Sequence, residues 1–559
     1  MIYQRNNSLN NLKCREKINM KVKITNLRAL YDTGKVEIAP ITVLLGKNSI
    51  GKSTFARSFA LMKQSLFINR SEPVLWYSPN LVDFGSFEDS VTKGFDEIEF
   101  EYSFEFLPRD FERFVRYNSF WNSFSLNNGI YNHDNKEISV KFSIKKNRIN
   151  KINIIFLDFN YKIAYNSKYK VESFIINDIV SSLSGLSSRS AFPLGEIIPQ
   201  ISLGNNQDKL SNSLRLNARL LAGESLKEIE QLFGKIKDGR TNNKTISKIL
   251  NKLQIGDYTQ FVKEFEKTIK VWKTIHQKYL GLTVEERQRF VSKLYSLIGE
   301  FYYNSVVDLT NDYLSSYFNE VQYIAPVRAT AERYYRIQGV SLNGITSQGE
   351  NVPMILYNLK PEDDKEWKRW TRDNFNGIEF DVKKDSSNLS LTLSKSGQVI
   401  NLADTGFGYS QILPILLYLW QKTRMNKPVY RQGFRGIRPH QSLLIIEQPE
   451  LHLHPALQAN LIDSFARIVK NEKLDVSIII ETHSDTVVNR LGEHVISKSS
   501  DINSDDVNLV FFEEDKENNG LAKLRQIKFD ERGRLKGWPV GFFEPGPIKS
   551  FLGDSQNVD

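Results

Sequence analysis

The sequence predicts an α/β fold in which a parallel sheet surrounds a glycine-rich turn, with an antiparallel β lobe and an inserted helical subdomain attached. Three observations carry that prediction. Residues 41–45, apolar but for Thr42, lead directly into Gly-Lys-Asn-Ser-Ile-Gly-Lys-Ser-Thr at 46–54. Two further apolar runs, 443–446 and 476–480, end in the acids Glu447 and Glu481, as buried parallel strands do when their carboxyl ends face a ligand crevice. Elsewhere the apolar period changes from two to about 3.6, marking strands and then helices.

Taken in order, residues 1–19 are polar, lack an apolar segment with a cleavage site, and read as an N-terminal extension ahead of the strand pattern that opens at Met20. The turn at 46–54 is G-x-x-x-x-G-K-S after a strand, the arrangement that cradles phosphates. Gly46 and Gly51 allow backbone N–H groups to fold around phosphate oxygens. Lys52 adds a point charge, Ser53 offers a hydroxyl to magnesium, and the helix that follows presents its positive end. With Asn48 and Thr54 these residues form the expected nucleotide-binding set, with ATP and Mg2+ as cofactors. Residues 55–66 then carry apolar side chains at helical spacing.

Ile98, Phe100, Tyr102 and Phe104 alternate with polar residues, as do Ile138, Val140, Phe142 and Ile144, and again Leu389, Leu391 and Leu393. These are expected to be half-buried antiparallel strands of a lobe attached to the nucleotide-binding sheet. From about 205 to 320 the pattern is helical. Ser225 with Glu228, and Thr283 with Glu286, have capping-box spacing. Ile246, Ile249, Leu250 and Leu253 share one helical face, and so do Phe261, Phe265, Ile269 and Trp272. No heptad register is sustained, so a compact insertion is expected in place of a long coiled-coil arm. The expected organisation is an extension (1–19), an N-lobe with the phosphate loop and β lobe (20–204), a helical insertion (205–320) and a C-lobe (321–559).

Composition sets outer bounds. With 559 residues, 40% hydrophobic and 25% charged, the chain is expected to form two or three lobes of a globular protein. No apolar run approaches the ~20 residues of a membrane span, and a cytoplasmic location is expected. The one cysteine, Cys14, excludes an internal disulfide and a zinc cluster. The net charge of +10 fits contact with nucleic acid as well as an ordinary lysine-rich surface. Residues 421–441 hold six basic side chains (Lys422, Arg424, Lys427, Arg431, Arg435 and Arg438) and no acid, with Tyr430 and Phe434 interleaved. That composition suits a DNA or RNA backbone, or a solvated loop.

Three later motifs narrow the chemistry. Leu-Leu-Ile-Ile-Glu-Gln-Pro-Glu-Leu-His-Leu-His-Pro at 443–455 is a buried strand delivering Glu447 toward a magnesium shell. Glu-Thr-His-Ser at 481–484 places His483 within reach of a γ-phosphate. Asp-Thr-Gly-Phe-Gly-Tyr-Ser-Gln at 404–411 is a turn opening a helix, a second anion site. His452 and His454 alternate beside acids, yet no further ligands stand at metal-binding spacing.

This order of motifs resembles the ABC-type heads of the SMC, Rad50, RecF and OLD ATPases. The resemblance implies two heads that sandwich two ATP molecules, each phosphate loop facing the signature turn of the other. It would make Lys52 and Ser53 phosphate and magnesium ligands, Glu447 the magnesium-side carboxylate, Gly408 and Ser410 the signature contact to the partner's γ-phosphate, and His483 the switch histidine. Arg28 is similar to a basic residue near the nucleotide in those heads. The segments at 83–89, 325–335 and 537–543 are similar to a bacterial subfamily that includes the ATPase of Septu anti-phage systems. That likeness implies an ATPase gating a separate HNH-type nuclease, in retron versions with a reverse transcriptase and its RNA–DNA product.

The sequence departs from the pattern where heads of this type carry a catalytic glutamate. Gln448 stands there, and an amide cannot take up a proton, so hydrolysis is expected to be slow unless Glu450 reaches the water. The stretch after His483 looks too short for the fused nuclease of OLD relatives, and 513–515 reads as a solvated turn. A RecF- or SMC-like DNA-repair or DNA-tethering ATPase is the alternative. A transporter's energising subunit fits poorly, given the long separation of Gly51 from the signature turn.

Overall fold

The computed structural model describes residues 19–118, 135–188, 191–203, 214–238, 243–338, 344–375, 377–424, 442–470, 475–497, 500–515 and 520–535. The extension before residue 19, most of the basic stretch 421–441 and the segment 537–543 lie outside them. Among the described residues no helix is long and apolar enough to cross a membrane.

Among the described residues one sheet of 15 strands organises the fold. Its parallel part runs Val321–Ile324, Ser442–Glu447, Val476–Glu481, Ile41–Gly46, Val507–Asp515. The strand that feeds the phosphate loop thus lies between two strands from the far end of the chain. Every residue of Ile41–Gly46, Ser442–Glu447 and Val476–Glu481 is buried, because apolar layers cover both faces. Ile41, Val43 and Leu45 point into one layer with Leu444, Ile446, Ile478 and Ile480. Leu44, Leu443, Ile445 and Ile479 point into the other. Fully burying a side chain of this size contributes about 1.5–3 kcal/mol, so these short runs anchor the centre of the molecule.

From Leu521–Ile527 the sheet continues through Leu30–Asp32 and Met20–Leu27 into an antiparallel meander, Ile98–Phe106, Lys136–Lys145, Arg148–Phe156, Phe159–Tyr165 and Val171–Ile176. The β lobe expected from alternation is therefore continuous with the nucleotide-binding sheet. Leu389, Leu391 and Leu393 belong elsewhere. They lie on Asn388–Lys395, in a separate four-stranded sheet with Tyr335–Arg336, Glu379–Asp385 and Gln398–Asn401. Their alternation is real, but Leu391 and Leu393 join residues of the helix Phe407–Arg424 in the layer that Ile41, Val43 and Leu45 line.

The helical insertion is built around Val284–Asn319, a helix of 36 residues opened by the Thr283–Glu286 capping box. It packs along the β lobe, where Tyr313 stacks on Phe104 at 5.1 Å between ring centroids and Tyr161 Oη donates to Gly299 O at 3.0 Å. The other expected capping box is overturned, since Ser225 and Glu228 lie inside Leu214–Phe233. The Ser225 hydroxyl instead lies 3.0 Å from Leu221 O and 2.8 Å from Glu300 Oε1. Buried Leu221 and Ala222 one turn earlier extend the helix past the capping signal. Trp272 also falls outside the helix Tyr258–Ile269 that carries Phe261, Phe265 and Ile269, and precedes Lys273–Leu280. Residues 513–515 end the strand Val507–Asp515 and pair with Leu521–Ile527, so they are not a turn.

Candidate nucleotide site

The phosphate loop needs its two glycines for shape. Gly46 has φ +145°, and a Cβ there would stand 2.6 Å from Phe512 O on the neighbouring strand. Gly51, with φ +108°, precedes the helix Lys52–Leu66, and a Cβ there would meet Leu30 Cδ2 at 2.7 Å. Between them Lys47, Asn48 and Ser49 are exposed. Lys52 is buried and folds back over the loop, donating from Nζ to Gly46 O at 3.0 Å and Lys47 O at 2.6 Å. Burial lowers its pKa, and the nearby acids Glu481 and Glu450 oppose that shift. Ser53 begins the helix and donates its hydroxyl to Glu481 Oε1 at 2.9 Å.

The parallel register sets Glu447 opposite Glu481, so two buried carboxylates end adjacent strands beside Ser53. Their surroundings differ. Arg57, one helical turn beyond Ser53, grips Glu447 with two hydrogen bonds, Nε to Oε1 at 2.7 Å and Nη2 to Oε2 at 2.6 Å. Tyr323 Oη adds a third to Oε1 at 2.9 Å. Glu481 has the Ser53 hydroxyl on one oxygen, while Oε2 is buried with no partner among the described residues. Burial, followed by repulsion from Glu447, pushes the Glu481 carboxyl up to about 7.

Gln448 follows Glu447 with φ +47°, in the left-handed region, and its N–H donates to Glu481 O at 2.7 Å. Glu450 accepts the His483 N–H on Oε1 at 2.8 Å, and its Oε2 is buried without a partner among the described residues. The His483 imidazole is held below its ordinary pKa by burial and by Lys52, which keeps it neutral at pH 7. Arg328 is buried and donates from Nη2 to Glu447 O at 2.8 Å, while its own carbonyl accepts from Gln411 Nε2 at 3.3 Å. It therefore joins the acid strand to the helix Phe407–Arg424. Burial lowers the Arg328 pKa to about 10.

Arg28 sits just past Met20–Leu27 with its guanidinium 4.5 Å from the Phe84 ring centroid and Nη2 donating to Asp83 O at 3.4 Å. Burial and the nearby Arg57 charge lower its pKa. In the signature turn Phe407 is exposed, whereas the Ser410 hydroxyl turns inward to Phe407 O at 2.7 Å. Gly408 lies close to His452 O, which a Cβ would approach to 3.0 Å. The His454 imidazole accepts from Ala456 N at 3.3 Å and caps the helix Pro455–Val469, while the His452 ring lies 5.6 Å from that of Phe407. Among the described residues no group of three or more His, Cys, Asp and Glu could hold a metal ion.

Arg57, Tyr323 and Glu481 are the residues that sequence reasoning left out of the site. Arg57 was signalled by its i,i+4 spacing from Ser53, and Glu481 by being the acid that ends an apolar run. The donor set fits a nucleoside triphosphate with magnesium. Oxygen ligands suit that hard cation, and Glu481 offers a buried carboxylate oxygen that no described residue satisfies.

The family model described as "AAA ATPase domain" (AAA_15) matches residues 18–488. The chain belongs to this AAA ATPase domain family. The match spans the phosphate loop, signature turn, acid strand and His483, and makes this an ATP-binding ATPase domain. A second model, a protein of unknown function (DUF3696), matches residues 502–544. No curated protein matches the chain. Among solved structures, the SMC head domain from Thermotoga maritima aligns at 9% identity over 91% of this chain and 98% of that one, with a TM-score of 0.32. The Smc head domain of Pyrococcus furiosus, bound to the C-terminal domain of ScpA, aligns at 9% identity over 91% and 96%, also with a TM-score of 0.32.

Proposed function

We propose that this AAA ATPase domain protein is a slowly hydrolysing ATP switch that works as paired heads. The observation that carries the reading is the convergence of Lys52, Ser53, Glu447, Glu481, Glu450 and His483 at the carboxyl ends of neighbouring parallel strands. In this reading the loop N–H groups and Lys52 hold the phosphates, and Ser53 with a strand-end carboxylate beside it holds magnesium. That ion, when bound, neutralises charge at the outer phosphates. His483, neutral, donates or accepts a hydrogen bond at the terminal phosphate, and Gln448 orients water without removing its proton. Glu450 is already engaged by the His483 N–H on one oxygen. Gly408 and Ser410 serve a second copy, with exposed Phe407 at the contact.

Slow hydrolysis suits a protein that holds an assembly closed. The likeness of residues 83–89 and 325–335 to Septu-type ATPases supports a role in bacterial anti-phage defence, gating an HNH-type nuclease with or without a retron reverse transcriptase and its RNA–DNA. The basic residues of 421–441 are the proposed nucleic-acid contact, and the cytoplasm the proposed location.

The test begins with a fluorescent ATP analogue and light scattering. Wild type is expected to bind the analogue and to pair with ATP. Lys52→Ala removes a charge-assisted donor worth ~1.5–3 kcal/mol and weakens binding by about 10–100-fold. Gln448→Glu is expected to raise turnover by up to ~10²–10⁴-fold. Undiminished affinity in Lys52→Ala would overturn the site, and unchanged turnover in Gln448→Glu would overturn the slow-switch reading. Co-purification from the native operon tests the partners: a nuclease supports defence, and recombination proteins favour the repair alternative.

A further inference from the structure

Heads that resemble this one are expected to place a single acid, at the position of Glu447, on the magnesium side. Here that acid is already committed. Both Glu447 oxygens are occupied by the Arg57 guanidinium, with Tyr323 on one of them as well. The pair is internally neutral, and the Glu447 side chain is 2% exposed. Releasing it for a cation would leave Arg57 without its partner.

We infer that Glu481 is the carboxylate that positions Ser53 and faces the nucleotide-bound divalent cation, while Glu447 acts as the structural counter-ion of Arg57. This inference rests on the Mg–ATP reading of the site. Three features of the geometry carry it. The Ser53 hydroxyl gives its proton to Glu481 Oε1 at 2.9 Å, which leaves the oxygen lone pairs of Ser53 free for a cation. Glu481 Oε2 is buried without a partner among the described residues, and the residue is only 4% exposed. An unsatisfied buried carboxylate oxygen beside a second carboxylate is costly unless positive charge arrives. Finally, Gln448 N–H donates to Glu481 O, so the backbone of the acid strand fixes where Glu481 stands. The acid that the Gln448 position lacks is thus present one strand away, on Val476–Glu481. Glu481 is a positioning residue, since it acts through Ser53 and the cation.

The test uses the full chain and the same fluorescent ATP analogue, titrated in EDTA and again in excess Mg2+. Wild type is expected to gain affinity from Mg2+. Glu481→Gln is expected to lose about 10–100-fold of that gain, the usual cost of removing a residue that orients a metal ligand. Its affinity in EDTA should be unchanged or tighter, because one negative charge leaves the pocket. Glu447→Gln should keep the Mg2+ gain once corrected for any loss of folded protein. Ser53→Ala should lose the gain, and adding Glu481→Gln to it should cost nothing further. Glu481→Asp retains the charge and should recover part of the gain, which separates a role at the cation from a packing role. A Glu481→Gln protein with the wild-type Mg2+ gain, or a gain abolished only by Glu447→Gln, overturns the inference while leaving the ATP site intact. Absence of analogue binding by folded wild type would instead overturn the site itself.

Discussion

Replacing Arg57 by methionine isolates the clamp on Glu447. The variant keeps most of the aliphatic stem but removes two hydrogen bonds of 2.7 and 2.6 Å and the only cation paired with Glu447 among the described residues. Breaking a buried ion pair from one side costs about 3–5 kcal/mol. Arg57 is 32% exposed along its side chain, so part of its attraction is screened and the lower end applies, about 2–4 kcal/mol. For a chain of 559 residues, at ~2.1 cal/mol/K of unfolding entropy per residue, that corresponds to a fall in Tm of roughly 2–3 °C, measured by scanning calorimetry without nucleotide. The double variant Arg57→Met with Glu447→Gln should be more stable than the two single losses added together, by at least ~1 kcal/mol. Strict additivity, or a Tm for Arg57→Met within about 1 °C of wild type, would refute the clamp.

Other outcomes follow from single contacts. Gly46→Ala places a Cβ 2.6 Å from Phe512 O at φ +145°, and should cost at least ~2 kcal/mol in urea unfolding because backbone faces backbone. Ser225→Ala takes the hydroxyl from the buried Glu300 carboxylate, whose pKa burial already raises; a loss of about 1–3 kcal/mol is expected by the same assay. The raised Glu481 carboxyl, near 7 against an ordinary value of ~4.3, favours the folded state below pH 4 and loses that contribution as pH rises through 7. Nucleotide-free protein should therefore lose about 2–3 kcal/mol of stability between pH 5 and 8 that Glu481→Gln does not lose.

The parts of the fold written in strong local patterns were legible. Short, mostly apolar runs located the three buried strands at 41–46, 442–447 and 476–481, since few polar side chains fit between two covered faces. Thr283 capped its helix because the chain there is free to turn. Ser225 misled because buried neighbours and Glu300 gave the helix reason to continue and the hydroxyl another partner. The strand Asn388–Lys395 had the right period but the wrong sheet, because alternation reveals a wet face without naming the partner across the dry one. In the candidate site, spacing alone could not assign the acids. Glu447 and Glu481 both end apolar runs, and it is the reach of Arg57 and Tyr323 to the one and of Ser53 to the other that distinguishes their surroundings.

The phosphate-loop strand sits between Val476–Glu481 and Val507–Asp515, which has a consequence for biosynthesis. A ribosome adding ~5–20 residues per second exposes Ile41–Gly46 for tens of seconds before either flanking strand leaves the exit tunnel. Throughout that interval the run has unpaired edges and the face bearing Ile41, Val43 and Leu45 bare, the condition under which nascent chains attract chaperones or aggregate. The Ser53 hydroxyl also lacks its carboxylate partner throughout, because Glu481 is made only when translation reaches the end of Val476–Glu481.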